Sequence, residues 1–494
     1  MRVREICLGL LCLVHSAAWV AAADLPRSTP EEQGVSSVDL RAFLEAADSQ
    51  VTAMNSVMIV RHGHVIAEGW WAPYRPEARH SLYSLSKSFT STAIGIAIAE
   101  GKVKLDDPVL KYFPEDAPAE PSNNLKAMRV SDLLRMATGQ QSEPERKDDL
   151  PWTKTFLAHP VPFKPGTHFL YNTSATYMLS AIIQKATGQT LLDYLQPRLF
   201  EPLGIENPTW ESSPQGISTG GYGLSIRTED IAKFGQLYLQ GGNWQGRQLV
   251  PKSWVEAATA RQVANGSNPD SDWDQGYGYQ FWRCRNGAFR GDGAFGQYCI
   301  VLPELDAVIA ITSGVRDMQQ VLNLVWDKLL PAFRPLRLKP DAEAQQKLQA
   351  QLRGLMLPPA KGAAVPRVMP TKKYTFPEND RKLSALKLEG ANPAEPVVLS
   401  GTIDGTDFRL VCGKGQWVDG RGIWGTLKDQ PCAVSGNWVD AETFVARICF
   451  YETPFIMTMQ LKFAGDEVRY KSDYNVGFRP PDTSELVGKA VAPE

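Results

Sequence analysis

Ser84 and Lys87 are the two side chains in this sequence whose types and spacing are best suited to chemistry. They stand three residues apart, so on a helical turn they share one face and can touch. A serine hydroxyl becomes an effective nucleophile when a base takes its proton and hydrogen-bond donors await the oxyanion that it creates. A lysine that faces an apolar interior has a lowered pKa and can act as a base near neutral pH. The pair therefore predicts covalent catalysis, with Ser84 acylated and Lys87 as its neighbouring base.

The segment that carries this pair is predicted to be a buried helix. Apolar residues follow Lys87 on nearly every side of a helical projection as far as Ile98, and Gly101 closes the segment. Ser84 would then lie at the positive end of the helix, where its backbone amide is free to donate to an oxyanion. The four-residue pattern also occurs at ordinary helix starts, so the assignment depends on the sequence around it.

That surrounding sequence resembles the β-lactamase-related serine hydrolase family, which includes class C β-lactamases, D,D-carboxypeptidases and family VIII esterases. The matching residues are Tyr83-Ser84-Leu85-Ser86-Lys87-Ser88-Phe89-Thr90, Gly101-Lys102-Val103-Lys104-Leu105-Asp106-Asp107-Pro108-Val109 and Phe113-Pro114. The likeness covers about residues 30–332. It implies an α/β (α+β) fold of the β-lactamase/transpeptidase type, with an antiparallel sheet flanked by helices and an all-helical region. It also implies an acyl-enzyme reaction that needs no metal or organic cofactor.

Tyr171 is the candidate second base. It follows Pro165-Gly166 and begins the triplet Tyr171-Asn172-Thr173, which resembles the family's Tyr-x-Asn loop. By that resemblance Tyr171 relays protons between nucleophile and leaving group; the alternative is a core tyrosine at a strand end. Thr173 stands where the family usually has Asn, and a loop shifted by one residue would make Asn172 the ligand of a substrate amide.

The family's third element is Lys-Thr-Gly or His-x-Gly on the strand that lines the site. At that place stand Gly291, Asp292 and Gly293, which the resemblance assigns to substrate binding. The amide of the next residue, Ala294, would be the second oxyanion donor. The expected cation at position 291 is absent, and Arg290 would either substitute for it or have a structural role. Because that cation helps to hold a substrate carboxylate, its loss favours a carboxylesterase or amide hydrolase over a β-lactamase or D,D-carboxypeptidase.

The elements that must position these residues begin with a hairpin from Asn55 to Ala67. Apolar spacing predicts helices over residues 130–136, 175–186, 228–239 and 318–330, and strands over 277–283, 296–302 and 307–312. Strands at both ends with helices between them predict one antiparallel sheet completed by both ends of the unit. This gives a hydrolase domain over residues 24–332.

The rest of the chain changes character after that domain. Residues 333–371 are rich in proline around one short polar helix and are predicted to be a linker. From 372 to 494 apolar and polar residues alternate between glycine-rich turns, which predicts a small all-β domain, a sandwich or a barrel. It resembles the β-rich appendage of some family members and carries no catalytic motif.

The N-terminus has the layout of a secretory signal. Arg2 and Arg4 precede an apolar run from Ile6 to Val20 and then three alanines, so we predict cleavage near residue 23 and a periplasmic or extracellular protein. A retained anchor is the alternative, but the run is short of the roughly 20 residues that span a bilayer. In an oxidising compartment Cys284 and Cys299 could form a disulfide across a predicted turn, or both could be buried thiols.

The charges restrict the partners. The 52 lysines and arginines nearly balance the 54 aspartates and glutamates, so no basic surface is expected for nucleic acid or anionic lipid. A small-molecule or peptide-like ester or amide is the expected substrate, and the sequence does not fix an oligomeric state. The alternative from another class of protein is a non-hydrolytic, penicillin-binding-like receptor, which the missing cation keeps open.

Overall fold

The computed structural model describes residues 24–362, 371–390, 396–425, 427–482 and 484–491. The signal peptide predicted at residues 1–23 lies outside these ranges. The helices are α1 (Ser37–Gln50), α2 (Ser86–Ala99), α3 (Asn123–Ala127), α4 (Val130–Leu134), α5 (Trp152–Ala158), α6 (Thr173–Thr187), α7 (Leu191–Leu195), α8 (Glu201–Leu203), α9 (Thr228–Leu239), α10 (Lys252–Thr259), α11 (Met318–Leu324) and α12 (Ala342–Arg353). The strands of the first unit are β1 (Met54–Arg61), β2 (His64–Trp70), β3 (His80–Ser81), β4 (Thr209–Trp210), β5 (Leu224–Ile226), β6 (Asn243–Trp244), β7 (Arg247–Gln248), β8 (Trp282–Arg283), β9 (Phe289–Gly293), β10 (Gln297–Leu302) and β11 (Ala307–Ser313).

One six-stranded antiparallel sheet organises this unit, in the order β2-β1-β11-β10-β9-β8. The first and last long strands are neighbours, with Met58 opposite Ala310, so both ends of the unit complete the sheet as the sequence predicts. Because side chains alternate along each strand, the sheet buries two apolar layers. One layer includes Phe89 of α2 and Phe234 of α9, and the other includes Phe43 of α1. The predicted β-lactamase-like fold is confirmed.

The predicted strand over residues 277–283 is mostly irregular, since only Trp282–Arg283 enters the sheet. Gln280 adopts a positive φ of 65°, a left-handed conformation that strands do not accommodate. Its side-chain amide is fixed by the carbonyls of Leu133 and Leu134 at 3.2 and 2.7 Å. This contact explains why an apolar, alternating segment turns away from the sheet.

Cys284 and Cys299 are both free, buried thiols. Cys299 belongs to the apolar layer beside α2 and α9, whereas Cys284 belongs to the layer on the other face of the sheet. The sheet therefore separates the two sulfur atoms, and the disulfide proposed from the sequence does not form. Of the two alternatives, the structure shows the buried thiols.

The segment predicted as a linker is largely packed structure. Its helix α12 buries Leu348 and Leu352 against the layer that contains α1. Gln345 on the same helix donates to Glu31 Oε2 at 2.9 Å. Residues 363–370 lie outside the described ranges.

The C-terminal unit is an all-β domain, as predicted. Its strands are β12 (Lys373–Thr375), β13 (Leu383–Glu389), β14 (Val397–Ile403), β15 (Thr406–Cys412), β16 (Val418–Trp424), β17 (Leu427–Trp438), β18 (Thr443–Cys449), β19 (Ile456–Ala464), β20 (Glu467–Tyr474) and β21 (Leu486–Ala490). They form one ten-stranded sheet in the order β15-β14-β13-β12-β21-β20-β19-β18-β17-β16. A bridge joins Gly413, which directly follows the edge strand β15, to Ser435 of β17, the strand next to the other edge, so the sheet is nearly closed.

The two units dock through specific contacts. Tyr74 donates its hydroxyl hydrogen to the carbonyl of Thr453 at 2.9 Å, and the amide of Ser81 donates to the carbonyl of Glu452 at 2.9 Å. These contacts lie beside β3, only a few residues before Ser84, so the C-terminal domain reaches the neighbourhood of the nucleophile.

In the described part of the chain, no helix is long and apolar enough to span a bilayer.

Candidate active site

Ser84 lies in a tight turn that leads into helix α2. The residues Tyr83–Leu85 form a single 3₁₀ turn, and Tyr83 has a positive φ of 48°. Such a conformation is uncommon for a bulky residue and tends to occur at functional sites. The amide of Ser84 is in the first turn, where no earlier carbonyl of the helix can accept it. The turn thus presents both the hydroxyl and a backbone donor at the start of a buried helix.

Lys87 is almost completely buried and meets Ser84 directly. Its Nζ lies 3.0 Å from Ser84 Oγ, 3.3 Å from Thr173 Oγ1 and 2.8 Å from the carbonyl oxygen of Gly221. Burial lowers the pKa of Lys87 to about 7, because the charged ammonium loses hydration. The carboxylates of Glu143 and Asp292 act to raise this pKa, but their effect is smaller than that of burial. A neutral amine has two hydrogens for Gly221 and Thr173 and one lone pair for the Ser84 hydroxyl hydrogen.

Tyr171 is the second group near Ser84, and the Ser84 hydroxyl acts to lower the pKa of the Tyr171 phenol. Its ring stacks on Trp282, with the centroids 5.3 Å apart and the planes at 25°. Lys87 Nζ lies 4.9 Å from the centroid of the Tyr171 ring. Burial raises the pKa of the Tyr171 hydroxyl above its usual value, so the group remains a protonated phenol at neutral pH. It can accept one proton only as it gives up another, which suits a relay.

Thr173 and Asn172 have different roles from each other. Thr173 occupies the place of the family's Asn and contacts Lys87, so the motif is in register. Asn172 is completely buried: its Oδ1 caps α6 by accepting from the amide of Ala175 at 3.1 Å, and its Nδ2 donates to Gln140 at 2.8 Å. The alternative of a shifted loop with Asn172 as a substrate ligand is therefore wrong, because both ends of its carboxamide are used inside the fold.

The glycines of the third element allow strand β9 to lie directly on the nucleophile turn. A Cβ at Gly293 would be 2.0 Å from the carbonyl oxygen of Leu82, and a Cβ at Gly291 would be 2.5 Å from Ser88 Oγ. The cation that the family has at this place would not fit at position 291 in this packing. Gly291 and Gly293 thus contribute close backbone approach, whereas the next residue, Ala294, lines the pocket together with Ser84.

Arg290 does not replace the missing cation. It is completely buried, its Nη2 pairs with Asp292 at 2.8 Å, and its Nη1 donates to Cys284 Sγ at 3.1 Å. Because positions 290 and 292 point to the opposite face of the strand from position 291, both charges lie behind the site. The sequence-based assignments of Arg290 and Asp292 to substrate binding are corrected to a buried ion pair that supports the strand.

A cavity of about 660 Å³ opens onto Ser84. Its lining residues are Tyr83, Ser84, Arg146, Thr173, Glu211, Tyr222, Ala294, Gly425, Leu427 and Phe478. Arg146 pairs with Glu143 at 2.7 Å, so much of its charge is neutralised within the wall. Partial burial raises the pKa of the Glu211 carboxyl.

The described residues contain no cluster of His, Cys, Asp and Glu that could hold a metal ion.

Sequence reasoning missed the contribution of the loop at residues 220–223. The carbonyl of Gly220 accepts from Thr90 Oγ1 at 2.8 Å, and Ser86 Oγ accepts from the amide of Leu224 at 3.1 Å. These bonds hold the Gly221 carbonyl on Lys87. The one available signal was the Gly-Gly-Tyr-Gly run, since a Cβ at Gly221 would be 2.6 Å from Thr173 and 3.5 Å from Lys87 Nζ.

Comparisons with known proteins agree with this geometry. The family model named Beta-lactamase matches residues 41–323, so the chain belongs to the Beta-lactamase family, a class of serine hydrolases. The chain is 28% identical to the 6-aminohexanoate-dimer hydrolase of Paenarthrobacter ureafaciens over 292 residues, which are 54% of this chain and 74% of that protein. It is 26% identical to a β-lactamase of Escherichia coli (strain K12), over 42% of this chain and 58% of that protein. A solved structure of SurE matches with a TM-score of 0.50 at 17% identity and covers 92% of this chain and 98% of SurE, which extends the shared fold to both domains.

Proposed function

We propose that this chain is an exported serine hydrolase that cleaves a carboxylic ester or amide through an acyl-enzyme on Ser84. The observation that carries the proposal is the 3.0 Å contact between Ser84 Oγ and the Nζ of Lys87, a lysine only 1% exposed. A buried amine with a pKa of about 7 is largely neutral at mildly alkaline pH, so it can take the serine proton.

The reaction follows from the contacts. Lys87 removes the hydroxyl proton as Ser84 Oγ bonds to the substrate carbonyl carbon, and the amides of Ser84 and Ala294 donate to the oxyanion. The proton passes through the Tyr171 hydroxyl to the departing oxygen or nitrogen as its bond to the carbonyl carbon breaks. Water then attacks the ester carbonyl of the acyl-enzyme, its proton returns to Ser84 Oγ by the same groups, and the acid leaves.

The choice of substrate depends on the charges that line the cavity. Position 291 has no side chain and Arg290 lies behind the sheet, so the usual partner of a β-lactam or D-alanyl carboxylate is missing. Arg146 lines the cavity but is paired with Glu143. The relative named 6-aminohexanoate-dimer hydrolase supports an amide, and the resemblance of the sequence around Ser84 to family VIII esterases supports an ester. We therefore prefer a carboxylesterase or amide hydrolase over a β-lactamase or D,D-carboxypeptidase.

A comparison of three substrate classes tests this preference. Turnover of a short p-nitrophenyl ester, a chromogenic cephalosporin and a D-alanyl dipeptide is measured with the purified protein and with Ser84→Ala as a control. The ester is expected to be the best of the three, with turnover abolished in Ser84→Ala. A dominant cephalosporin rate would overturn the preference.

The receptor alternative predicts a different result. Ligand binding without turnover, unaffected by Ser84→Ala, would support a non-hydrolytic penicillin-binding-like protein. Export is tested separately by fractionating cells that express the full chain and sequencing the mature N-terminus, which we expect near residue 23 or 24.

A further inference from the structure

The cavity at Ser84 has walls from both domains. Gly425 directly follows β16, Leu427 is the first residue of β17, and Phe478 comes from the segment that follows β20. These residues are separated from Ser84 by more than 300 positions in sequence. The C-terminal domain is therefore part of the site where substrate would lie.

Phe478 belongs to an aromatic cluster at the catalytic turn. Its ring centroid lies 4.8 Å from that of Phe295 and 5.8 Å from that of Tyr83. Phe455, from the same domain, completes the cluster at 5.6 Å from Phe295. Tyr83 directly precedes the nucleophile, and Phe295 directly follows Ala294, the residue assigned to the oxyanion. The C-terminal aromatics thus contact both segments that flank the predicted reaction centre.

The exposed fraction of each side chain distinguishes the residues that join the two domains from those that face the cavity. Phe455 is 6% exposed, as expected of a residue in the interface between the two domains. Phe478 is 75% exposed and Leu427 is 45% exposed, although both line the cavity. Large apolar side chains that stay accessible inside a pocket are typical of surfaces that become buried when a ligand binds.

The segment that carries Phe478 is well anchored. Asn475 Nδ2 donates to the carbonyls of Gly314 and Pro454 at 2.9 and 3.0 Å. The next residue, Val476, is 1% exposed and packs with Phe295 and Phe455. The ring of Phe478 is therefore presented by a fixed backbone and is available before any substrate arrives.

We propose that the C-terminal domain supplies an apolar subsite of the hydrolase, formed by Leu427 and Phe478, that selects substrates with a hydrophobic group next to the scissile bond. The proposal rests on the function proposed above. The group contacted is an alkyl or aromatic part of either the acyl or the leaving-group side. The domain then determines specificity in addition to its docking contacts.

The test compares Phe478→Ala, Leu427→Ala and the double variant with Val439→Ala. Val439 is a matched control because it is also 45% exposed and belongs to the same domain but does not line the cavity. The ratio of kcat/KM for long and short chains is measured in two series, p-nitrophenyl esters from acetate to octanoate and alkyl acetates from ethyl to octyl. Thermal melting checks that each variant is folded.

In the double variant the long-to-short ratio is expected to fall about tenfold or more in one of the two series, the scale of a lost methylene contact in an apolar pocket, while Val439→Ala keeps the wild-type ratio. Leu427→Trp, which narrows the subsite, is expected to lower the ratio as well. Unchanged ratios in both series for the folded double variant would overturn the subsite.

A binding measurement keeps this result separate from the proposed function. In a Ser84→Ala background, calorimetry with p-nitrophenyl octanoate and octyl acetate compares affinities with and without Phe478→Ala. About tenfold weaker binding of one ligand supports the subsite even if the wild type proves to hydrolyse nothing. Equal affinities for both ligands would contradict it, whatever the catalytic result.

Discussion

Thr173 Oγ1 accepts a hydrogen bond from Lys87 Nζ at 3.3 Å. The hydroxyl stands where the resemblance leads one to expect an Asn carboxamide, and it makes the contact to lysine with a shorter side chain. Gly221 has no Cβ, and one would approach Thr173 within 2.6 Å. The short side chain at position 173 and the absence of a side chain at position 221 therefore allow the loop at residues 220–223 to pack against Thr173.

This relationship predicts the effect of removing the hydroxyl. Thr173→Val keeps the shape of the side chain but removes one acceptor from the Lys87 amine, so we expect acylation of Ser84 to be about tenfold slower, the scale of one hydrogen bond to a charged or proton-transferring group. Thr173→Ser retains the hydroxyl and is the control. Stopped-flow labelling by a fluorophosphonate measures both, and an undiminished rate in Thr173→Val would show that the contact is incidental.

The pKa of Lys87 predicts the pH dependence of acylation. Only the neutral amine accepts the serine proton, and burial lowers this pKa to about 7, so the rate should rise with pH and level off above a midpoint near 7. Among its neighbours, Glu143 and Asp292 raise the pKa of Lys87, and Arg146 lowers it.

Glu143→Gln should therefore move this midpoint to lower pH, since it removes a charge that favours the ammonium. The pH profile of kcat/KM for a p-nitrophenyl ester measures the midpoint in both proteins. A wild-type rate that keeps rising to pH 10 would mean that Lys87 has an ordinary pKa, and the account of its burial would be wrong.

Lys87→Ala and Tyr171→Phe test the two predicted proton-transfer groups separately. Lys87→Ala is expected to lower acylation about 10²- to 10⁴-fold, the usual effect of losing a positioned base. Tyr171→Phe preserves stacking on Trp282 and removes only the hydroxyl, so slow labelling in a folded protein isolates the proton relay. Circular dichroism and melting temperature establish folding, and full activity of Tyr171→Phe would require another residue to carry the proton.

His80 predicts a loss of stability in acid. It is buried on β3, with its ring centroid 5.8 Å from that of Tyr74 at the domain contact, and burial lowers its pKa to about 4. Between pH 6.5 and 4 the unfolded chain binds a proton that the folded chain does not, so the free energy of unfolding falls as the pH falls. The integrated loss is up to about 3 kcal/mol.

Urea unfolding of the wild type and His80→Gln at pH 7 and pH 4 isolates this contribution. The wild type should lose more stability than the variant over this interval, because glutamine does not titrate. Equal losses in the two proteins would assign the acid sensitivity to other groups.

The sequence predicted the parts of the site that depend on short spacing. Ser84 and Lys87 are three residues apart and can meet on one turn, but this spacing also occurs at ordinary helix starts, so the resemblance of the surrounding sequence was needed to select them and Tyr171. The capping role of Asn172 also had a local signal, since Asn is a preferred residue immediately before a helix. The alternation of a strand could likewise have shown that Arg290 and Gly291 face opposite sides.

Other parts of the site depend on contacts that have no local pattern. The Gly221 carbonyl contacts Lys87, which is 134 positions away in sequence. Because every residue has a backbone carbonyl, the residue type does not indicate this contact. Leu427 and Phe478 enter the cavity through the docking of a second domain, which the alternation of strands does not specify. The packing of α12 was missed because its polar composition concealed the few leucines that bury against the sheet.

The most direct test of the central claim is whether substrate acylates Ser84. The protein is mixed with excess p-nitrophenyl ester, quenched in acid within milliseconds to seconds, digested and analysed by mass spectrometry. An acyl adduct on Ser84 is expected to form with the first turnover and to be absent in Ser84→Ala. Steady-state hydrolysis by folded Ser84→Ala at the wild-type rate, or an adduct on a different residue, would contradict it.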